Sequence, residues 1–592
     1  MAMVGPTVHP FYTYSCNAFI VRFEVLCRDG LARVGALEID GVVHRTPTIA
    51  FVDTCKHPAP PNGLKLRQSS LAKEGDVRVA PSGFSRSDHD KGCHLEPWFR
   101  GSPFADKQPD GCFVVLDGVA GKMLDSRAFA DAVDDIKSGS GLLAPAYCSS
   151  VALVHRLAFL AYCGFDLFDS IPLIMASENG LYLTSSGVLP ADMVDEPPCS
   201  CQSCEDGIPS GEDLLRHNMA AAEAELRLVR HYIAQGRLRE LVESRIRAEP
   251  WQIQGIRLLD LEHHRMQEMH ASVRGTPFVA GSKESLHRPD VLRWRSRIME
   301  RYRRPESAST LLLLPCSARK PYSLSASHRR FRRAVHESGA ANLVHEMIVT
   351  SPLGLVPREL ELFYPAKDYD IPVTGHWDGD EGKMVEDMVR WLTETQDYDR
   401  IISHLGNERD MVNAMLGDYV DTSGGEPGSG KSLSRLEELL RETTDDETGR
   451  VNRRERALED VRAIARFQFG AEGACLTEDA RVDGRWPNVR IVKGQTQLGM
   501  LTGSRGMISL TMAGGSLLSS KDAYCVEIDD FAVKGNLFAV GVEDAHDAVR
   551  IGDDVVVRHR SDVRAVGVAR MSAIEMRLAR RGEAVHTRHS AD

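Results

Sequence analysis

The chain has 592 residues, 42% of them hydrophobic and 26% charged, with a formal net charge of −12. At about 100–200 residues per domain it is too long for one hydrophobic core, and no apolar run approaches the roughly 18–20 residues of a membrane span. Its acidity excludes a global nucleic-acid signature without excluding a local basic patch, and its 13 cysteines argue for reduced thiols rather than a disulfide framework.

The first segment, residues 1–280, opens with MAMVGPTVHP, which has neither the basic nor the apolar region of a secretory signal, so a cytoplasmic protein is expected. Alternating apolar and polar residues in Phe19–Leu26 and Ala32–Ile39 predict strands. Residues 56–110, rich in Pro, Gly, Ser and charge, predict loops. Helical and strand patterns alternate from Phe113 to Thr184, and a long amphipathic helix is predicted over Asp213–Tyr232. This pattern fits a barrel-like α/β domain that is short for eight βα units. Before the helix, Cys199, Cys201 and Cys204 form C-x-C-x-x-C, thiolates that can converge on one soft cation. His217, thirteen residues later, is the preferred fourth ligand, with His231 the competitor. A Cys₃His set is the donor set of a structural zinc site.

The strings LAYCGFDLFDS (160–170), LYLT, CSCQSC, LLRHN and VRHYIAQGRLRELVE (229–243) resemble the tRNA-guanine transglycosylases, in the right order over residues 150–245. The resemblance implies Zn²⁺ at Cys199, Cys201, Cys204 and His217, and places Asp169 where the transglycosylase nucleophile stands. The D-S-G-x-F-Q motif that supplies the second base-pocket aspartate is missing; MLDSRAF (123–129) is the nearest string and lacks the glycine. Base exchange is therefore not expected, and the barrel is read as a tRNA-docking scaffold.

The second segment, residues 281–425, contains LLLLPCSARKPY, MIVTSPLGLVPREL and YDRIISHLG, short apolar runs that predict buried parallel strands of a layered α/β domain. The first run delivers Cys316 just past a strand end, where α/β domains place reactive groups. Lys320 and His328 follow, with Tyr322 and Ser325 between and Arg319 alongside. Cationic neighbours lower a thiol's pKa, so Cys316 is the expected nucleophile, with Lys320 or His328 to move protons. Asp378 and Glu381 are candidates for holding a cationic amino-acid donor. The string PCSARKPYSLSASH reads as PC-x₃-KPY-x₂-S-x₂-H and resembles the signature of the archaeosine synthases, paralogues of the archaeal transglycosylase. That resemblance implies addition of an amine donor to the nitrile of 7-cyano-7-deazaguanine (preQ0) in the D-arm of tRNA. Lysine is the implied donor, glutamine the earlier assignment, and a radical SAM enzyme the implied partner that completes archaeosine. The alternatives are a transglycosylase exchanging guanine for preQ0 and a non-catalytic tRNA-binding module. Analogy with zinc-bearing relatives adds a homodimer.

Residues 421–432, DTSGGEPGSGKS, predict a flexible linker, although they also fit the phosphate-loop pattern G-x₄-G-K-S. No clear buried strand precedes them, so nucleotide binding is not expected. A charged helical stretch follows, Leu433–Phe469. Residues 430–520 are read as this helix and a small α+β domain, and 521–592 as a β-barrel. The strings ARFQFGAEGACL and VEIDDFAVKGNLFAVGVEDAHDAVRIGDDVVV resemble the small domain preceding the PUA domain in archaeal transglycosylases and the RNA-binding PUA domain itself. Lys534, Asn536 and Arg558 are the candidate RNA contacts. The predicted architecture is thus α/β multidomain: a partial TIM-barrel-like domain, an α/β catalytic domain, a small α+β domain and a C-terminal PUA barrel.

Overall fold

A computed structural model describes residues 13–16, 21–39, 41–53, 55–68, 77–79, 95–97, 113–116, 119–271, 276–373, 376–446 and 452–591. Most of the loop-rich stretch 56–110, and Phe19 and Ile20 of the first predicted strand, lie outside the described residues. The chain divides into two compact units, one of residues 1–272, 537–542 and 570–584, the other of the remainder.

In the first unit, Thr13–Cys16, Val21–Asp29, Ala32–Ile39 and Val42–Thr46 form an antiparallel sheet. A second sheet has seven strands, all parallel, in the order Val77–Val79, Leu64–Gln68, Thr48–Val52, Leu167–Asp169, Ala146–Cys148, Phe113–Leu116, Leu95–Pro97. Three of these strands come from the stretch predicted as loop, because short parallel strands need only two or three paired residues and leave little periodicity to read. A TIM barrel closes on eight strands; here the end strands do not pair among the described residues. Helices Ser126–Ser138, Leu157–Tyr162 and Pro250–Leu261 cover the core through Phe129, Phe159 and Trp251, whose rings meet edge-on or tilted at 5.5–5.9 Å. The predicted amphipathic helix is Gly211–Gln235, stopped by Gly236 at φ +68°, the left-handed conformation that favours glycine at a helix end.

The second unit contains a five-stranded sheet in the order Gly354–Pro357, Val344–Thr350, Thr310–Pro315, Arg400–Ser403, Val420–Asp421. Its strands are parallel except the Gly354–Pro357 edge. Leu311 to Leu314 are fully buried, as a central strand covered on both faces requires. Residues 421–432 do not behave as a linker. The Asp421 carboxylate accepts from Ser423 N (2.8 Å), Ser423 Oγ (3.0 Å) and Gly424 N (3.1 Å), and the loop enters helix Gly430–Asp446. Leu436 and Leu440 of that helix pack with Leu312 and Phe331, so the α/β layer extends beyond residue 425. As expected, no buried strand precedes the G-x₄-G-K-S string: Val420–Asp421 is half-buried. That strand is a two-residue sheet edge, and the Ser432 hydroxyl turns inward to donate to Ser423 O (2.8 Å).

Helix Arg453–Phe469 starts in a reciprocal cap, with Asn452 accepting from Arg454 N and Glu455 accepting from Asn452 N. A four-stranded antiparallel meander follows, Arg481–Arg485, Asn488–Lys493, Thr496–Leu501 and Ile508–Leu510. Beyond it Cys525–Ile528 pairs parallel with Asp554–His559, which pairs antiparallel with Asp562–Ala569 and that in turn with Glu583–Ser590. No helix among the described residues is long and apolar enough to cross a membrane.

Candidate active site and metal centre

Strand Thr310–Pro315 is the centre of the five-stranded sheet. The chain leaves it through helix Ala326–Glu337 to the neighbour Val344–Thr350 on one side. It later crosses to the other side, as Arg400–Ser403. Where the strand order reverses in this way, the carboxyl ends of the two diverging strands leave a crevice for a ligand. Cys316 stands at that end, partly exposed, in the wall of a cavity of about 480 Å³ shared with Lys283, Ser351, Trp377, Glu381 and Glu408.

The electrostatics at the thiol differ from the sequence-based expectation. Burial and the Glu408 carboxylate push the Cys316 thiol above the ordinary cysteine value, outweighing Lys320 and a hydrogen bond from Thr350, both of which lower it. Burial and the Glu408 charge thus favour the protonated thiol at Cys316. Lys320 holds its Nζ buried without a hydrogen-bond partner, 4.1 Å from the centre of the Tyr369 ring. Burial holds its ammonium below the usual lysine value. Tyr322, fully buried, hydrogen-bonds the Tyr369 hydroxyl, and Thr350 Oγ1 lies 2.7 Å from that same hydroxyl. Three hydroxyls are thus linked in a chain that reaches Cys316 through Thr350.

His328 and Ser325 sit in the motif but do not line the cavity. Arg358 Nη2 donates to His328 Nδ1 (2.8 Å), and His328 Nε2–H donates to the Pro315 carbonyl (2.9 Å). Both nitrogens are engaged, and burial beside Arg358 pushes the imidazole well below its usual value. The ring is a neutral strut fixing the peptide that precedes Cys316, not the proton carrier expected from spacing. Ser325 caps helix Ala326–Glu337, its Oγ accepting from His328 N (3.2 Å). Asp378 and Glu381 form a capping box on helix Gly379–Thr395. Asp378 also pairs with Lys283 (3.2 Å), and Glu381 Oε1 accepts from Ser351 Oγ (2.6 Å). Both line the cavity, but neither is an uncommitted carboxylate awaiting a cationic donor.

In the parallel sheet of the first unit, Asp169 is fully buried. Its Oδ2 accepts from Tyr147 OH (2.6 Å) and Ser150 N (2.6 Å), its Oδ1 from Ile171 N (2.9 Å). It staples a strand end to the next helix instead of presenting a nucleophile. Asp125 of the MLDSRAF string is the N-cap of helix Ser126–Ser138. Of the candidate RNA contacts, Lys534 is exposed, whereas Asn536 Oδ1 accepts from Thr587 N (3.2 Å). Arg558 is consumed by Asp522 (2.8 Å), Glu527 (2.9 Å) and the Ser519 carbonyl (2.9 Å).

Cys199, Cys201, Cys204 and His217 place one ligand atom each within 4.8 Å of all the others. Cys201 Sγ is 3.6 Å from Cys204 Sγ, and His217 Nδ1 lies 3.5 and 3.4 Å from those sulfurs. A tetrahedron with metal–sulfur bonds of about 2.3 Å and metal–nitrogen bonds of about 2.1 Å has edges of about 3.8 and 3.6 Å, so the donors fit such an ion. His217 Nε2–H donates to the Leu183 carbonyl (3.0 Å), which turns the Nδ1 lone pair toward the thiols. Tyr182 stacks on the imidazole at 3.8 Å and places its hydroxyl 3.4 Å from Cys204 Sγ. These four residues can hold a metal ion. His231 is not among them.

Three parts of the chain match known families. Residues 107–250 match the family described as queuine tRNA-ribosyltransferase, 291–440 a domain of unknown function (DUF5591), and 524–591 the PUA domain. The archaeosine synthase subunit alpha of Methanosarcina acetivorans is 36% identical over 80% of this chain and 79% of its own length. The tRNA-guanine(15) transglycosylase of Methanothermobacter thermautotrophicus is 28% identical over 80% of this chain and 70% of its own. The archaeosine synthase of Haloferax volcanii is 35% identical over 96% of this chain and 99% of its own length. Related at that level along almost its whole length, the chain belongs to the archaeosine synthase family.

Proposed function

We propose that this protein adds an amine donor, lysine, to the nitrile carbon of 7-cyano-7-deazaguanine held in tRNA, with Cys316 as the nucleophile. The single observation that carries the reading is the placement of that thiol at the carboxyl end of the switch strand, in the wall of a cavity of about 480 Å³. Sulfur adds to the nitrile carbon, a C–S bond forms, and the nitrile nitrogen takes a proton to give a thioimidate. The donor amine then adds to the same carbon. The C–S bond breaks, the thiol re-forms, and a substituted amidine remains. The Lys320 ammonium beside the thiol stabilises charge on sulfur and on the developing imide nitrogen. Incubating nitrile-bearing tRNA with labelled lysine and this protein alone tests the reading. Label in tRNA is the expected result, release of guanine would favour base exchange, and binding with neither would leave a docking module.

Zinc is the ion that the Cys₃His set suits by donor type and spacing. The partner that converts the lysine adduct to archaeosine is a separate radical SAM enzyme, a reading supported by relatives named as alpha subunits. For tRNA, the catalytic unit offers helix Ala326–Glu337. It begins at Ser325 within the catalytic motif and exposes Arg329, Arg330, Arg332 and Arg333. None of the four has a carboxylate partner among the described residues. Unneutralised guanidiniums on one helix suit a phosphate backbone. Changing all four to glutamine is expected to weaken tRNA binding most at low salt. Each lost phosphate contact flattens the slope of log affinity against log salt by about 0.7–0.9. An unchanged slope in a filter-binding series would place the backbone elsewhere.

A further inference from the structure

A thiol that rests protonated in its cavity needs a base; of the two proton carriers expected from the sequence, His328 is committed elsewhere and Lys320 does not line the cavity. His328 has both nitrogens bonded, and Asp378 and Glu381 are tied into a helix cap. The carboxylate that remains is Glu408, which the sequence reading did not single out.

Glu408 follows strand Arg400–Ser403 as Cys316 follows Thr310–Pro315, and these are the two adjacent parallel strands between which the sheet order reverses. With Leu313 paired to Ser403, both residues emerge on the carboxyl side of the sheet. Both line the same cavity. The Glu408 carboxylate accepts a hydrogen bond from Gly406 N (3.3 Å) and has no cationic partner among the described residues. Burial raises its proton affinity, and its charge raises that of Cys316. A buried carboxylate with raised proton affinity, set in the same cavity as a thiol whose proton it helps to hold, is suited to exchange a proton with it.

We propose that Glu408 is the proton carrier of the Cys316 centre. This rests on the nitrile-addition reading and assigns its protons. The carboxylate takes the Sγ–H proton as sulfur attacks, then delivers it to the nitrile nitrogen as the C–S bond completes, leaving thioimidate and carboxylate. In the second half it accepts a proton from the donor nitrogen as that amine adds, and returns it to sulfur as the C–S bond breaks. No oxidant, reductant or nucleotide enters the balance. His376 lines the same cavity and is the competing base.

The test uses the full-length protein and two readouts. One is the pH profile of Cys316 alkylation by iodoacetamide, followed on the Cys316-bearing peptide by mass spectrometry. The other is single-turnover transfer of labelled lysine to nitrile-bearing tRNA. In Glu408→Gln the alkylation inflection is expected to move to lower pH, because a negative charge beside the thiol is gone. Transfer is expected to fall by about 10²-fold or more, because the proton carrier is gone. A faster thiol with slower transfer is a signature that neither misfolding nor simple charge removal produces. Glu408→Asp is expected to recover part of the transfer. The proposal is overturned if Glu408→Gln transfers at the wild-type rate, if its alkylation profile coincides with wild type, or if His376→Gln alone abolishes transfer. If the wild type itself transfers no label, the nitrile-addition reading fails, while the alkylation profile still reads whether Glu408 governs the thiol.

Discussion

A Cys316→Ala variant is expected to lose transfer of lysine to nitrile-bearing tRNA by on the order of 10³-fold or more, with tRNA affinity unchanged. A factor of that size is about 4 kcal/mol of transition-state stabilisation, more than a neighbouring charge or a single hydrogen bond supplies. The side chain sits in the cavity wall, partly exposed, so its loss leaves the buried Leu311–Leu314 strand intact, and the thermal midpoint is expected to move by only a few degrees. Activity retained to about a tenth of wild type would exclude a covalent step and leave direct attack by the donor amine on a nitrile polarised by Lys320. Trapping distinguishes the routes independently. Nitrile-bearing tRNA without donor is expected to become bonded to the wild-type protein and not to the variant, visible as a protein–RNA band that dithiothreitol releases.

Cys204→Ser is expected to cost the first unit several kcal/mol, because three thiolates and an imidazole that converge on one ion bind with a free energy that is part of folding. Cys204 is the buried cysteine of the set and packs with Tyr182 and Leu214, so its loss opens both the metal centre and a small apolar cluster. At about 2–4 °C per kcal/mol for a unit of this size, the thermal midpoint is expected to fall by about 10 °C or more. Elemental analysis is expected to find one zinc per chain in the wild type and none in the variant. His231→Ala is expected to keep the metal and the midpoint, since His231 is not in the cluster. A wild-type protein that carries no metal and is indifferent to a chelator would make the four residues a packing cluster only.

Features whose cause lies within a few residues were readable in the chain. The C-x-C-x-x-C spacing and the histidine in the second turn of the long helix pointed to the four side chains that converge as a candidate metal centre, because their separations in the chain are short. The run of four leucines before Cys316 identified a central strand, because only a strand covered on both faces is apolar at every position. Asp378-Gly-Asp-Glu381 also carried the capping-box pattern in plain view. Weighing those carboxylates as donor ligands overlooked a local explanation.

What tertiary structure alone decided is which side chains remain unspent. Spacing placed His328 near Cys316. Only the arrival of Arg358 from a distant turn showed that both its nitrogens are bonded. Arg558 read as an RNA contact until Asp522 and Glu527 closed on it, and Asp169 read as a nucleophile until Tyr147 and Ser150 enclosed it. Glu408 carried no signal beyond lying a few residues past a strand, and gained meaning when that strand took its place beside the one bearing Cys316. Periodicity and spacing are set by the geometry of the local backbone. The protonation and availability of a side chain are set by burial and by charges that the fold brings from far along the chain, so chemistry is decided last.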